Sequence, residues 1–180
     1  MRKALLVLGI LNDSDLDWMI AAGAKREVAP GDVLIHEGRA VDSVFLVLDG
    51  ALAVTSRAMG NREIARLLSG EIVGEMSFID SRPPSATVQA VEKSSVLVVP
   101  RTALQAKLNA EPMFAARFYK ALAVFLSDRM RSTLGLLGYG AGAKLDEAST
   151  YGDELDTDEL ERASLAGARF DLLQRRLRAI

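Results

Sequence analysis

The sequence predicts a mainly β protein with α-helical flanks. The expected fold is an eight-stranded antiparallel β-roll of the jelly-roll or cupin-like kind, with an N-terminal helix, a long helix after the roll and one further terminal helix. Three observations carry this expectation. Between Lys25 and Val99 the chain is a series of short apolar runs broken by Gly, Pro and Asp. No helix-length segment separates those runs, so the crossovers that a parallel sheet needs have no room. After Pro100 the apolar period changes from strand-like to helical.

The elements follow in order. Met1-Arg2-Lys3 and the apolar run Ala4–Leu11 look like the start of a signal peptide, but Asp13, Asp15 and Asp17 occupy the place of a cleavage site. The expectation is a segment packed on the core, too short to span a membrane. Ser14 with Asp17 reads as a capping box opening a helix over 14–24. Strands are predicted near 25–29, 33–36, 43–48, 51–56, 63–68, 71–73, 86–91 and 95–99. Pro30-Gly31-Asp32 is a turn signal, Asp49-Gly50 a two-residue hairpin signal, and Met59-Gly60-Asn61 is expected to close the next hairpin. Arg101–Asn109 reads as a short helix stopped near Glu111-Pro112. Pro112 suits the first turn of a long helix reaching about Leu134.

That long helix carries two apolar stripes. Phe114, Phe118, Leu122 and Phe125 are bulky and suited to packing on the roll. Ala116, Tyr119, Ala123, Leu126, Met130, Thr133 and Leu137 form a heptad-like seam. The seam either packs against the C-terminal helix of the same chain or joins two copies in a homodimer through residues 112–137; the expectation leans to the homodimer. A Gly-rich break at 135–142 and an acidic stretch from Asp146 to Glu161 read as an exposed, mobile linker. The last helix, about Thr157–Arg178, has acids at its start and Arg175, Arg176 and Arg178 at its end, as the helix dipole favours. Leu160, Leu165, Ala168, Leu172, Leu173 and Leu177 give it an apolar side that needs a partner, taken here as an unknown protein.

Composition narrows the chemistry. The 180 residues carry a net charge of −2, no cysteine and one histidine. Near-neutrality removes the electrostatic case for nucleic acid or an anionic membrane. Thiolate catalysis, disulfides and Cys-based metal sites are excluded, and His36 alone makes no imidazole cluster. His36 is expected to be a partly buried structural residue. Gly138-x-Gly140-x-x-Ala143 follows a helix rather than a strand and so fails as a dinucleotide fingerprint. Asp153, Glu154, Asp156, Asp158 and Glu159 lack the spacing of a calcium loop.

The informative segment is Gly74-Glu75-Met76-Ser77-Phe78-Ile79-Asp80-Ser81-Arg82-Pro83-Pro84-Ser85-Ala86-Thr87-Val88. It leaves a strand at Gly74, where backbone can approach a ligand closely. About one helical turn follows from Met76 to Ile79, whose N-terminal N–H groups can receive an anion. A buried carboxylate at Glu75 can accept sugar hydroxyls, and Ser85 and Thr87 add hydroxyl donors.

This segment resembles the phosphate-binding cassette of the cyclic nucleotide-binding domain family, of the catabolite activator and protein kinase A regulatory-subunit type. Pro30-Gly31-Asp32-Val33-Leu34-Ile35, Glu37-Gly38 and Val44–Gly50 also look like the opening strands of that family. The resemblance covers roughly residues 14–134. It implies cAMP or cGMP held between the cassette and the long helix. It matches Gly74 and Glu75 to the family's glycine and ribose-binding glutamate, Ser85 to the phosphate-facing backbone position, and Ala86 and Thr87 to the end of the cassette. The cassette is degenerate at one place: the position of the phosphate-binding arginine holds Pro84, which offers neither charge nor N–H. Losing such a contact costs about 1.5–3 kcal/mol, or roughly 10- to 150-fold in affinity. Arg82 is a candidate replacement. Ser132 and Thr133 are the hydroxyls nearest the place where relatives meet the base, and base specificity is not readable from them.

The candidate ligand-binding residues are therefore Gly74, Glu75, Met76, Ser77, Arg82, Ser85, Ala86 and Thr87, with no catalytic or metal residues and no cofactor expected. The expected organisation is 1–134 as the cyclic nucleotide-binding-like domain with flanking helices, 135–156 as linker and 157–180 as C-terminal helix. Two functions compete: a cytoplasmic sensor of cAMP, cGMP or another small anion, and a non-binding roll used for oligomerisation or docking. A DNA-binding role is not expected, because residues 139–180 hold one helix and an acidic stretch rather than a winged helix-turn-helix. Nor is an enzyme, since no nucleophile elbow, P-loop or metal cluster is present.

Overall fold

The computed structural model describes the backbone of residues 6–136 and 157–178 and the side chains of residues 8–131 and 164–177. Of the expected Gly-rich and acidic linker, residues 137–156 lie outside the described residues, as do the side chains of Ser132, Thr133, Leu137 and Leu160, whereas 135–136 belong to the long helix and 157–161 to the last one. Helices α1 (Leu6–Ile10) and α2 (Asp13–Ala22) precede the roll. Its strands are β1 (Ala24–Val28), β2 (Val33–Ile35), β3 (Ser43–Asp49), β4 (Ala51–Ser56), β5 (Arg62–Leu68), β6 (Ile72–Val73), β7 (Thr87–Ala90) and β8 (Ser94–Pro100). Helix α3 (Glu75–Asp80) interrupts the strands, and α4 (Arg101–Ala110), α5 (Pro112–Leu136) and α6 (Thr157–Arg178) follow.

All eight predicted strands are present, paired antiparallel in two four-stranded sheets of order β1-β8-β3-β6 and β2-β7-β4-β5. The apolar run of β3 is explained by burial on both faces. Phe45 and Val47 point between the sheets with Val28, Leu52, Leu67, Val88 and Val96. Val44, Leu46 and Leu48 point the other way, into a second core with the helices. Gly50 is required at the β3–β4 turn: its φ is +86°, and a Cβ there would collide with Ser94 Oγ. The 57–61 turn closes as expected, with Gly60 and Asn61 both at positive φ.

The second core is built by α5. Phe114, Phe118, Leu122 and Phe125 are all buried, and Phe114 and Phe118 stack with ring centroids 5.8 Å apart. Phe78 of α3 meets Phe118 edge-on at 6.1 Å, so the cassette helix and α5 share one aromatic contact. The heptad-like seam is not covered by α6. Ala116 and Ala123 are exposed, as are Tyr119 at 45% and Met130 at 61%. Among the described seam residues only Leu126 is packed on the helical core, and α6 leaves the others uncovered.

Helix α6 packs on α1 and α2 instead, burying Ala166, Leu173 and Leu177 in the helical core. Its apolar side thus finds a partner within the chain. Leu165, Ala168 and Leu172, expected on that side, are exposed, because the buried face is rotated toward Ala166. Polar contacts fix the packing. Arg169 bonds Asp13 Oδ1 at 2.7 Å and the Leu11 carbonyl at 2.6 Å, and Arg176 pairs with Asp17.

Two further expectations need correction. The cap of α2 is Asn12, not Ser14: the Asn12 side chain accepts from Asp15 N–H, and Asp15 accepts from Asn12 N–H. Asp15 also holds Arg117 of α5 through two bonds of 2.6 and 2.8 Å, which Asp17 is not placed to do. His36 is exposed rather than partly buried, since the chain turns outward after Ile35.

Candidate ligand cavity

The cassette lies where β6 ends and α3 begins. Gly74 sits at φ +87°, with Ser43 O only 2.9 Å from where a Cβ would be, so glycine alone fits unstrained. This tight turn aims Glu75 inward, and the residue is 2% exposed. Arg101 of α4 anchors α3 from behind, donating to Ser77 O at 2.9 Å and to Ser81 Oγ at 2.7 Å. The loop 81–86 is held by Gly38 N–H donating to Pro84 O at 2.8 Å.

These elements enclose a cavity of about 250 Å³. Gly74, Glu75, Met76, Ser77, Arg82, Ser85 and Ala86 line it, so seven of the eight candidate site residues come together. Thr87 does not line it; its hydroxyl accepts from Glu37 N–H at 3.2 Å and ties the β2–β3 connection to β7. Ile35, Val54, Val73, Pro84 and Val88 make the remaining wall largely apolar.

The cavity's electrostatics turn on a residue that sequence reasoning missed. Arg129 of α5 reaches over the cassette and donates to Glu75 Oε1 at 2.7 Å, with Glu71 3.8 Å away. Its guanidinium lies 4.5 Å from the Phe125 ring centroid. Burial pushes the Glu75 carboxyl above its ordinary value, against the opposing pull of Arg129 and the backbone N–H groups of Glu75 and Met76. No motif marks Arg129; its only sequence signal is its place one turn after Phe125, between the two stripes.

Arg82 does not swing inward. Its side chain is 85% exposed and lies 3.9 Å from Asp80 at the mouth. Among the described residues the backbone N–H groups of Ser85 and Ala86 donate to no other backbone group. They are the donors the cavity offers an anion.

An eight-stranded roll with a ligand-sized cavity between an inserted short helix and a covering long helix defines a class of small-molecule-binding regulatory modules. Residues 25–111 match the sequence model described as cyclic nucleotide-binding domain, so this stretch of the chain is a domain of that family. It is similar to the HTH-type transcriptional regulator Cmr of Mycobacterium tuberculosis, 26% identical over 88% of this chain and 67% of that protein. It is also similar to the cyclic AMP receptor protein of Thermus thermophilus, 28% identical over 67% of this chain and 55% of that protein. The fold matches a cyclic nucleotide-binding domain from Methylobacillus flagellatus with a TM-score of 0.68, at 24% identity over 75% of this chain and 77% of that one. Other curated relatives are far longer, and the chain spans 9% and 7% of two of them. No helix among the described residues is long and apolar enough to cross a membrane.

Proposed function

We propose that this chain is a non-enzymatic sensor: a small anionic ligand, cAMP or cGMP first among candidates, enters the cavity at Gly74–Glu75 and is reported to α5. The observation that carries this reading is the Glu75–Arg129 pair, which joins the cavity floor to the long helix at 2.7 Å. A ligand hydroxyl that donates to Glu75 competes with Arg129, and a phosphate offered to the Ser85 and Ala86 N–H groups gives Arg129 a new counter-charge. Either changes the free energy of one α5 position relative to another, which is what a population shift requires.

The homodimer belongs to the same reading. The exposed seam through Ala116, Tyr119, Ala123 and Met130 runs along the helix that carries Arg129, so cavity and seam share one rigid element. We assign no DNA or membrane contact to these 180 residues, and a cytoplasmic setting suits a cysteine-free chain.

A second reading is favoured by a specific observation. Pro84 supplies no charge, Arg82 faces solvent, and Arg129 is already shared between Glu75 and Glu71. A roll so arranged could serve oligomerisation or docking without a nucleotide. Calorimetric titration with cAMP and cGMP separates the two. The sensor reading predicts micromolar to submillimolar binding that is lost in Glu75→Ala. Silence to about 5 mM, where even a binding energy near 4 kcal/mol would register, leaves the docking module.

A further inference from the structure

Among the described residues, the cations that line the cassette cavity are Arg82 and Arg129, and both already face carboxylates. Arg129 lies 2.7 Å from Glu75 and 3.8 Å from Glu71, and Arg82 lies 3.9 Å from Asp80. Three acids thus stand around two guanidinium groups, so an entering anion meets fixed charge that is already negative. The first donors of α3 are taken as well: the N–H groups of Glu75 and Met76 face the carboxylate of Glu75 itself. The Ser85 and Ala86 N–H groups stay open to a phosphate, but the ring of Pro84 stands beside them in place of a cation.

A hydroxyl is better served than a phosphate. A carboxylate has about four acceptor sites. Arg129 and the two N–H groups do not exhaust them on Glu75, which leaves room for a hydroxyl donor. The wall of Ile35, Val54, Val73 and Val88 is apolar and suits a flat, uncharged ring.

Resting on the sensor reading of this same cavity, we propose that it recognises the sugar hydroxyls and base of a ribonucleoside and gains little from a phosphate, so that the uncharged nucleoside is itself a ligand. A phosphate gains two N–H contacts and loses by its approach to Glu71, Glu75 and Asp80. The nucleoside does without both effects. A hydroxyl that donates to Glu75 competes with Arg129 whatever the charge elsewhere on the ligand, so an uncharged molecule still acts on α5.

Calorimetry on the full chain compares adenosine with cAMP and guanosine with cGMP. For a base that binds, the nucleoside is expected to be at most about fivefold weaker than its cyclic phosphate. Pro84→Arg keeps the carbonyl that accepts from Gly38 N–H and sets a cation beside the phosphate. It is expected to tighten the cyclic nucleotide roughly tenfold or more and to leave the nucleoside unchanged. Glu75→Ala is expected to weaken both. A larger preference of the wild type for the cyclic nucleotide overturns the proposal and leaves the sensor reading intact. Silence of all four ligands to about 5 mM removes the sensor reading and the proposal together. Nucleoside binding that is unchanged in Glu75→Ala, or a Pro84→Arg chain with no new preference for the phosphate, also overturns it.

Discussion

Glu75 and Asp15 are both buried acids at 2% exposure, yet they titrate with opposite sign. Burial of Asp15 would raise its pKa, but the Arg117 hydrogen bonds, the Asn12 N–H and the charges of Arg117 and Lys107 outweigh it and hold the carboxyl below its ordinary value. Its contribution to stability is therefore complete above the ordinary Asp value and drains as pH falls through the lowered native one. Glu75 is raised, so between its ordinary value and its raised native value the folded state binds the extra proton, and stability increases as pH falls. Asp15→Asn is expected to cost about 2–3 kcal/mol at pH 7, the low side for a broken buried pair because Arg117 keeps 27% exposure. It should also flatten the acid limb. Denaturant midpoints from pH 7 to pH 3 check both; an unchanged limb contradicts the account. These acids show what a sequence conceals at this scale. Glu75 was legible because it follows Gly74 in a recognisable cassette. Asp15 and Arg129 were not, because their partners are 102 and 54 residues away and only the fold brings them together.

At the scale of elements, the short helix α3 depends on one backbone conformation. Gly74→Ala places a methyl group 2.9 Å from Ser43 O at φ +87°, and is expected to destabilise the chain by about 1–3 kcal/mol while disordering the cavity floor. Thermal unfolding measures the first effect and near-UV circular dichroism the second; a fully stable variant would show that the turn relaxes freely. Strands and helix α5 were legible because turn residues and period 3–4 spacing are local signals. The cap of α2 was missed by two residues because Asn12 and Ser14 are both good caps, and the reciprocal bonds of Asn12 with Asp15 place it at Asn12. The buried face of α6 was misjudged for a related reason. Apolar residues surround much of that helix, and the buried face of Ala166, Leu173 and Leu177 is the one that accompanies the Arg169 bonds to the carbonyls of Leu8 and Leu11.

Across the whole molecule, the two ends of the described chain are joined. Arg169 binds Asp13 and the Leu11 carbonyl, and α1 lies between α5 and α6. Arg169→Ala removes the donor to Asp13 and to the Leu11 carbonyl and is expected to raise hydrogen exchange across α6 without unfolding the roll. On the outer side, the α5 seam predicts a dimer in solution that Tyr119→Glu with Met130→Glu converts to monomer in sedimentation equilibrium; a monomeric wild type would remove the dimer from the account. The central claim is that the cavity speaks to α5 through Arg129. The most direct measurement is hydrogen exchange over residues 112–136 with and without saturating cAMP or cGMP, in the wild type and in Arg129→Gln. The account predicts a ligand-dependent change along α5 that is lost in the variant even where binding persists. A bound nucleotide that leaves α5 exchange unaltered in the wild type would contradict it.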